Sequence, residues 1–235
     1  MGENSGAVKC EEDLLRVASF VCRHSPGNIL LIGGGCVLSE TAGFRRLRGL
    51  SDDLDFIVND EGLDAVKIPL NLGDAFKNGQ LASGGNVNYV NDILVGFFYR
   101  EIKGWKIPEK VFAKPRVQNT SFGEVYMIPA ELNLALKVRR GASREDKPHI
   151  YGKDSVDSAS IITGMRRRGE SFDVNLFLQY LTHGVCVDCK LSGYLECINH
   201  LKVGGNQLFG MDREKYKDFI DSCRVGLSEY FESKT

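Results

Sequence analysis

Four apolar residues, Ile29-Leu30-Leu31-Ile32, run without a polar break into Gly33-Gly34-Gly35, after which the chain resumes with Cys36-Val37-Leu38. A short apolar run with Ser25-Pro26-Gly27 before it and a glycine triplet after it reads as a strand over 28–32. The pattern from Cys36 to Gly43 then allows one short helix, with Gly43 as its stop. Glycines between a strand and a helix let backbone N–H groups approach phosphate oxygens closely, and the helix N-terminus adds a favourable dipole. The triplet matches neither G-x-G-x-x-G nor, lacking a following G-K-[ST], a P-loop.

The surrounding pattern divides the chain near Ile128. Leu14, Leu15, Val17, Ala18, Val21 and Cys22 recur at helical spacing over 10–24. Leu54, Phe56 and Val58 alternate with Asp53, Asp55 and Ile57, so 53–58 reads as a second strand with Asp53 and Asp55 facing the same way. Residues 60–80 read as helix and loop, 86–99 as one long or two short strands, and 124–128 as a further strand. Beyond Pro129 the stretches 130–140, 152–168, 172–182, 185–202 and 213–231 all read as helices. The expected fold is α+β: a mixed sheet with flanking helices over 1–128, then a helical domain over 129–235. There is no internal repeat and no low-complexity tract.

Composition bounds the function. With 235 residues, 43% hydrophobic and 26% charged, the chain is ordinary globular material and needs no disulfide or metal staple. The net charge of -1 gives no global field for nucleic acid or membrane. Locally, 51–64 carries Asp52, Asp53, Asp55, Asp60, Glu61 and Asp64 with no base, whereas 137–168 holds nine bases and four acids. That segregation suits cations at one wall and phosphates at the other, or two solvated faces. The first residues lack a secretory pattern, no stretch approaches a membrane span, and seven cysteines fit reduced thiols, so a cytoplasmic location is expected.

Asp53 and Asp55 are the residues with the clearest chemistry. On a strand their carboxylates emerge on one face with Cα atoms about 6–7 Å apart, and two anions there repel unless a cation joins them. Oxygen-only ligands suit Mg²⁺ or Mn²⁺, which keep waters and take further ligands from nucleotide phosphates. For an isolated D-x-D a polar strand end is the better explanation, because that tripeptide is common by chance, and it is the upstream glycine turn that favours the site.

Gly34-Gly35-Cys36-Val37-Leu38, then Arg48, Ser51 and Asp53-Leu54-Asp55-Phe56, resemble the G-G-x-x-L … R-x-S-x-D-L-D-F signature of polymerase-beta-like nucleotidyltransferases, specifically the AbiEii-type toxin branch. Pro129-Ala130-Glu131-Leu132 leading to Lys137, and Lys153-Asp154-Ser155-Val156-Asp157, follow in the order of that branch, so the resemblance runs from Leu31 to Ile162. It implies transfer of a nucleoside monophosphate from an NTP to a hydroxyl, with tRNA as a reasonable acceptor and an antitoxin as a protein partner. It also implies Asp53, Asp55 and a third carboxylate as metal ligands, the third being Asp92 with Glu124 in reserve. Gly34, Gly35 and Ser51 would hold phosphate oxygens, Lys137 the triphosphate tail, and Lys153 and Asp154 would assist, with Asp154 and Asp157 capping their helix or orienting a lysine. A non-catalytic nucleotide- or RNA-binding module of the same fold stays open.

Arg139, Arg140, Arg144, Lys147 and Arg166-Arg167-Arg168 could track an RNA backbone, or form a solvated face. Cys186, Cys189, Cys197 and His200 have the types for a zinc site, but their spacing also matches one face of a helix with reduced thiols, the preferred reading. Trp105, Phe97, Phe98 and Tyr99 read as core or as base-stacking walls.

Overall fold

A computed structural model describes residues 10–40, 53–67, 86–90, 93–102, 105–142, 157, 160, 161, 164, 165, 168–183 and 213–233. Helix α1 (Glu11–Cys22) is followed by β1 (Ile29–Ile32), α2 (Gly33–Glu40), β2 (Asp53–Val58) and α3 (Asp60–Lys67). Strands β3 (Asn86–Val90), β4 (Ile93–Tyr99), β5 (Glu101–Ile102) and β6 (Trp105–Lys106) precede the short α4 (Lys110–Ala113). Then come β7 (Arg116–Thr120), β8 (Gly123–Met127), α5 (Ala130–Ala142), α6 (Val174–Thr182) and α7 (Arg213–Glu232). The described positions from Asp157 to Met165 are helical, and those of 185–202, including Cys186, Cys189, Cys197 and His200, lie outside the described residues.

Six strands form one mixed sheet in the order β3-β4-β2-β1-β8-β7. β1 runs antiparallel to β2 and parallel to β8, β2 runs parallel to β4, and β3–β4 and β7–β8 are antiparallel hairpins. The architecture is therefore the expected α+β class, a mixed sheet with flanking helices. All four residues of β1 are buried, the pattern of a central strand covered on both faces. One contiguous apolar cluster runs from Leu14 and Val17 of α1 through Leu30, Phe56 and Phe97 to Leu134 of α5 and Phe177 of α6. Phe97 stacks on Phe56 at 5.7 Å within it, and Trp105 is buried too, so these two rings are core. Among the described residues no helix is long and apolar enough to cross a membrane. Burial pushes the Cys22 thiol up to about 12, which keeps it in the inert protonated form.

The end of the sheet where β1 begins and β2 finishes is tied by amides. Asn59 caps α3, its Oδ1 accepting from Gly62 N–H at 3.0 Å while its Nδ2 donates to Asn28 Oδ1 at 2.7 Å. Gly62 sits against the Asn28 carbonyl, where an added Cβ would stand 2.1 Å from the oxygen. Helix propensity alone makes Gly62→Ala stabilising by about 1 kcal/mol. The backbone clash reverses the sign, and we expect urea unfolding to show a loss of about 2–3 kcal/mol.

Candidate active site

At the other end of the sheet, β1 delivers its last residue to a turn. Gly33 takes φ +63°, a left-handed conformation that glycine adopts without a side-chain clash, so the chain reverses at once into α2. The helix therefore starts at Gly33 rather than at Cys36 as expected from sequence. Gly35 serves packing: an added Cβ would lie 2.7 Å from Leu31 Cδ1, so its absence lets α2 settle onto β1. Cys36 donates its thiol to the Leu31 carbonyl at 2.8 Å and closes the same turn.

β2 brings the acids to this turn. Asp53 and Asp55 alternate with buried Leu54 and Phe56 and are partly exposed on the same face, as the period-2 pattern required. Asp55 is paired in register with Ile32 on one side and Gly96 on the other. Its Oδ2 lies 3.8 Å from the Cβ position of Gly33, so carboxylate and glycine turn adjoin. Ser51 and Asp92 lie outside the described residues, as do Arg48, Lys153 and Asp154. Glu124 is described and sits elsewhere. The β1–β8 register pairs Leu31 with Met127, which puts Glu124 about 13 Å along the sheet from the Asp55 level. There it accepts from the Tyr126 hydroxyl at 2.5 Å, and a reserve role as third metal ligand is ruled out by that distance.

Helix α5 closes the turn from the side of β8. Asn133 Nδ2 donates to the Gly33 carbonyl at 3.4 Å, and Asn133 is 1% exposed. Lys137, four residues on, shares that helix face. It is 4% exposed and its Nζ donates to Asp157 Oδ2 at 2.5 Å, with Asp157 itself fully buried. Of the two readings of Asp157, orientation of a lysine is the one its contact matches.

The basic residues separate into two groups. Arg139 is 8% exposed and its guanidinium lies 3.7 Å from the Trp105 ring centroid, while the indole N–H donates to the His183 carbonyl. Arg139 thus packs α5 against Trp105 of β6, which corrects its place among the RNA-tracking arginines. Arg168 holds Glu170 in a two-point contact at 2.8 and 3.0 Å, and that guanidinium draws the Glu170 carboxyl below its ordinary value. The side chains of Arg140, Arg144, Lys147, Arg166 and Arg167 lie outside the described residues.

The sequence did not single out Gly33 within its triplet, nor Gly96 or Asn133. A glycine inside the apolar run I-L-V-G-F-F-Y was a usable signal for Gly96, since a strand-interior glycine often marks a close approach. Asn133 carried none. Among the described residues no group of three His, Cys, Asp or Glu side chains could hold a metal ion, so Asp53 and Asp55 stand there as a pair.

No family model matches the chain, and no curated protein matches it. Among solved structures the chain is similar to an antigenic nucleotidyltransferase-like protein from Paracoccidioides brasiliensis, at 14% identity and a TM-score of 0.38, over 64% of this chain and 76% of that one.

Proposed function

We propose that this protein is a metal-dependent nucleotidyltransferase, moving a nucleoside monophosphate from an NTP to a hydroxyl acceptor. The observation that carries the reading is the Asp53–Asp55 pair on one face of β2, with the Asp55 carboxylate against the glycine turn that opens α2. The donor set fits Mg²⁺ or Mn²⁺, which bind through one or two carboxylates and complete their shell with waters and substrate phosphates. Such a cation would neutralise the triphosphate and acidify the attacking hydroxyl. Asp92, one residue before Ile93 of β4, is proposed as the third carboxylate.

The chain's own residues supply alignment. Backbone N–H groups of Gly34 and Gly35, with Ser51, hold phosphate oxygens at the start of α2. Lys137, steadied by Asp157, contacts the triphosphate tail, and Lys153 and Asp154 assist. Asp92 accepts the proton as the acceptor oxygen bonds to the α-phosphorus, and the bond to the β-phosphate oxygen breaks with pyrophosphate taking the electron pair. We further propose tRNA as the acceptor, membership of the AbiEii-like toxin branch, an antitoxin as partner and a cytoplasmic setting, all on the motif resemblance.

The buried ion pair with Asp157 favours a second reading, in which Lys137 is kept from the triphosphate and the chain is a nucleotide- or RNA-binding module without turnover. One experiment separates them. The protein is incubated with each α-labelled triphosphate, Mg²⁺ and total cellular RNA, beside Asp53→Ala/Asp55→Ala. Label in RNA that disappears in the variant supports the transferase, and triphosphate binding without transfer under Mg²⁺ or Mn²⁺ supports the module.

A further inference from the structure

The side chain of Asp55 is shaped from a neighbouring strand. Gly96 lies directly across from it in the β2–β4 register. A Cβ built at Gly96 would stand 2.6 Å from Asp55 Oδ1 and 3.8 Å from its Cγ. That is far inside van der Waals contact, so the carboxylate fills the space that any other residue's Cβ would take. With Oδ2 beside Gly33 on the opposite flank, the two oxygens straddle β2, one toward β4 and one toward the turn after β1. A glycine weakens a strand interior by entropy and by packing nothing, and here the close approach accounts for it.

We infer that Gly96 is a positioning residue for the metal site: lacking a Cβ, it lets the Asp55 carboxylate lean over β4 in the orientation that holds a divalent cation with Asp53. The inference rests on the metal reading of the pair proposed above. The obstacle an alanine would meet is the far end of a flexible side chain, not backbone as at Gly62. Gly96→Ala therefore keeps the fold and displaces the carboxylate.

Two readouts test this, with Mn²⁺ as the probe. Scalar couplings report the Asp55 χ1 rotamer in metal-free protein, and calorimetry reports Mn²⁺ affinity for wild type, Gly96→Ala, Asp55→Ala and the double variant. We expect Gly96→Ala to unfold near the wild-type midpoint with a changed Asp55 rotamer and about 10- to 100-fold weaker Mn²⁺ binding. Added to Asp55→Ala, it should weaken Mn²⁺ no further. An unchanged rotamer, or unchanged Mn²⁺ affinity in Gly96→Ala, overturns the inference. Wild-type protein that binds no Mn²⁺, or binds it equally well without Asp55, overturns the metal reading itself and the positioning role of Gly96 with it, whatever the rotamer shows.

Discussion

Asp157→Ala is expected to lower stability by about 3–5 kcal/mol, because it takes the carboxylate at 2.5 Å away from an ammonium that is 4% exposed. For a chain of this length the thermal midpoint should fall on the order of 10 °C. The pair itself adds little net stability, since both charges lose water on burial. Replacing it as Lys137→Met/Asp157→Leu should therefore recover most of the loss. Nucleotidyl transfer should not recover with it, because the proposed contact to the triphosphate tail is gone. Thermal unfolding and the transfer assay on the same three proteins read these two roles apart. A double variant that is fully active would remove Lys137 from the site and leave the pair a device for anchoring α5 to Asp157.

Asp55→Asn is expected to reduce nucleotidyl transfer on the order of 10³-fold while leaving the midpoint of unfolding near wild type. The substitution keeps the shape over Gly96 and removes the charge that a cation needs. Asp53→Asn should behave alike, being on the same face two residues away. Initial rates of pyrophosphate release at saturating Mg²⁺ measure the effect. A variant retaining more than about a tenth of wild-type rate is inconsistent with a metal ligand, because losing even one developed-charge contact costs about 10²-fold or more.

The parts of the fold that could be read in advance are those where burial writes a period into the sequence. β1 and β2 were legible because apolar continuity marks a strand covered on both faces and alternation marks one with a polar side. Helices α1, α5, α6 and α7 carried the 3.6-residue pattern within a residue or two of their observed bounds. β7 was not legible. Its sequence R-V-Q-N-T holds a single large apolar residue, Val117, and that side chain is 46% exposed at the sheet edge, so only pairing with β8 makes it a strand. β5 and β6, two residues each, and the single turn α4 are too short to carry any period.

The site followed the same division. Asp53-x-Asp55 announced its geometry because a strand has only two faces, and the glycine triplet announced a turn. Which glycine does what was hidden, since Gly33 is distinguished by φ and Gly35 by the Leu31 side chain, both tertiary facts. Asn133 lies 100 residues from Gly33 in sequence, and nothing local to either records their contact. Arg139 shows the converse: a charge on a predicted helix reads as a wet face until Trp105, from a distant strand, is seen beneath it.

The pair of acids can be tested by the sign of a single effect. A triphosphate is an anion, so without a cation Asp53 and Asp55 repel it, and with a bridging cation they hold it. Calorimetric titration of a non-hydrolysable triphosphate with Mn²⁺ into wild type and into Asp53→Asn/Asp55→Asn distinguishes the two. Neutralising both carboxylates is expected to weaken triphosphate binding in the presence of Mn²⁺ and to abolish its dependence on Mn²⁺. Binding in the presence of Mn²⁺ that is tighter in the variant than in wild type, or equal binding with and without Mn²⁺ in wild type, would contradict it.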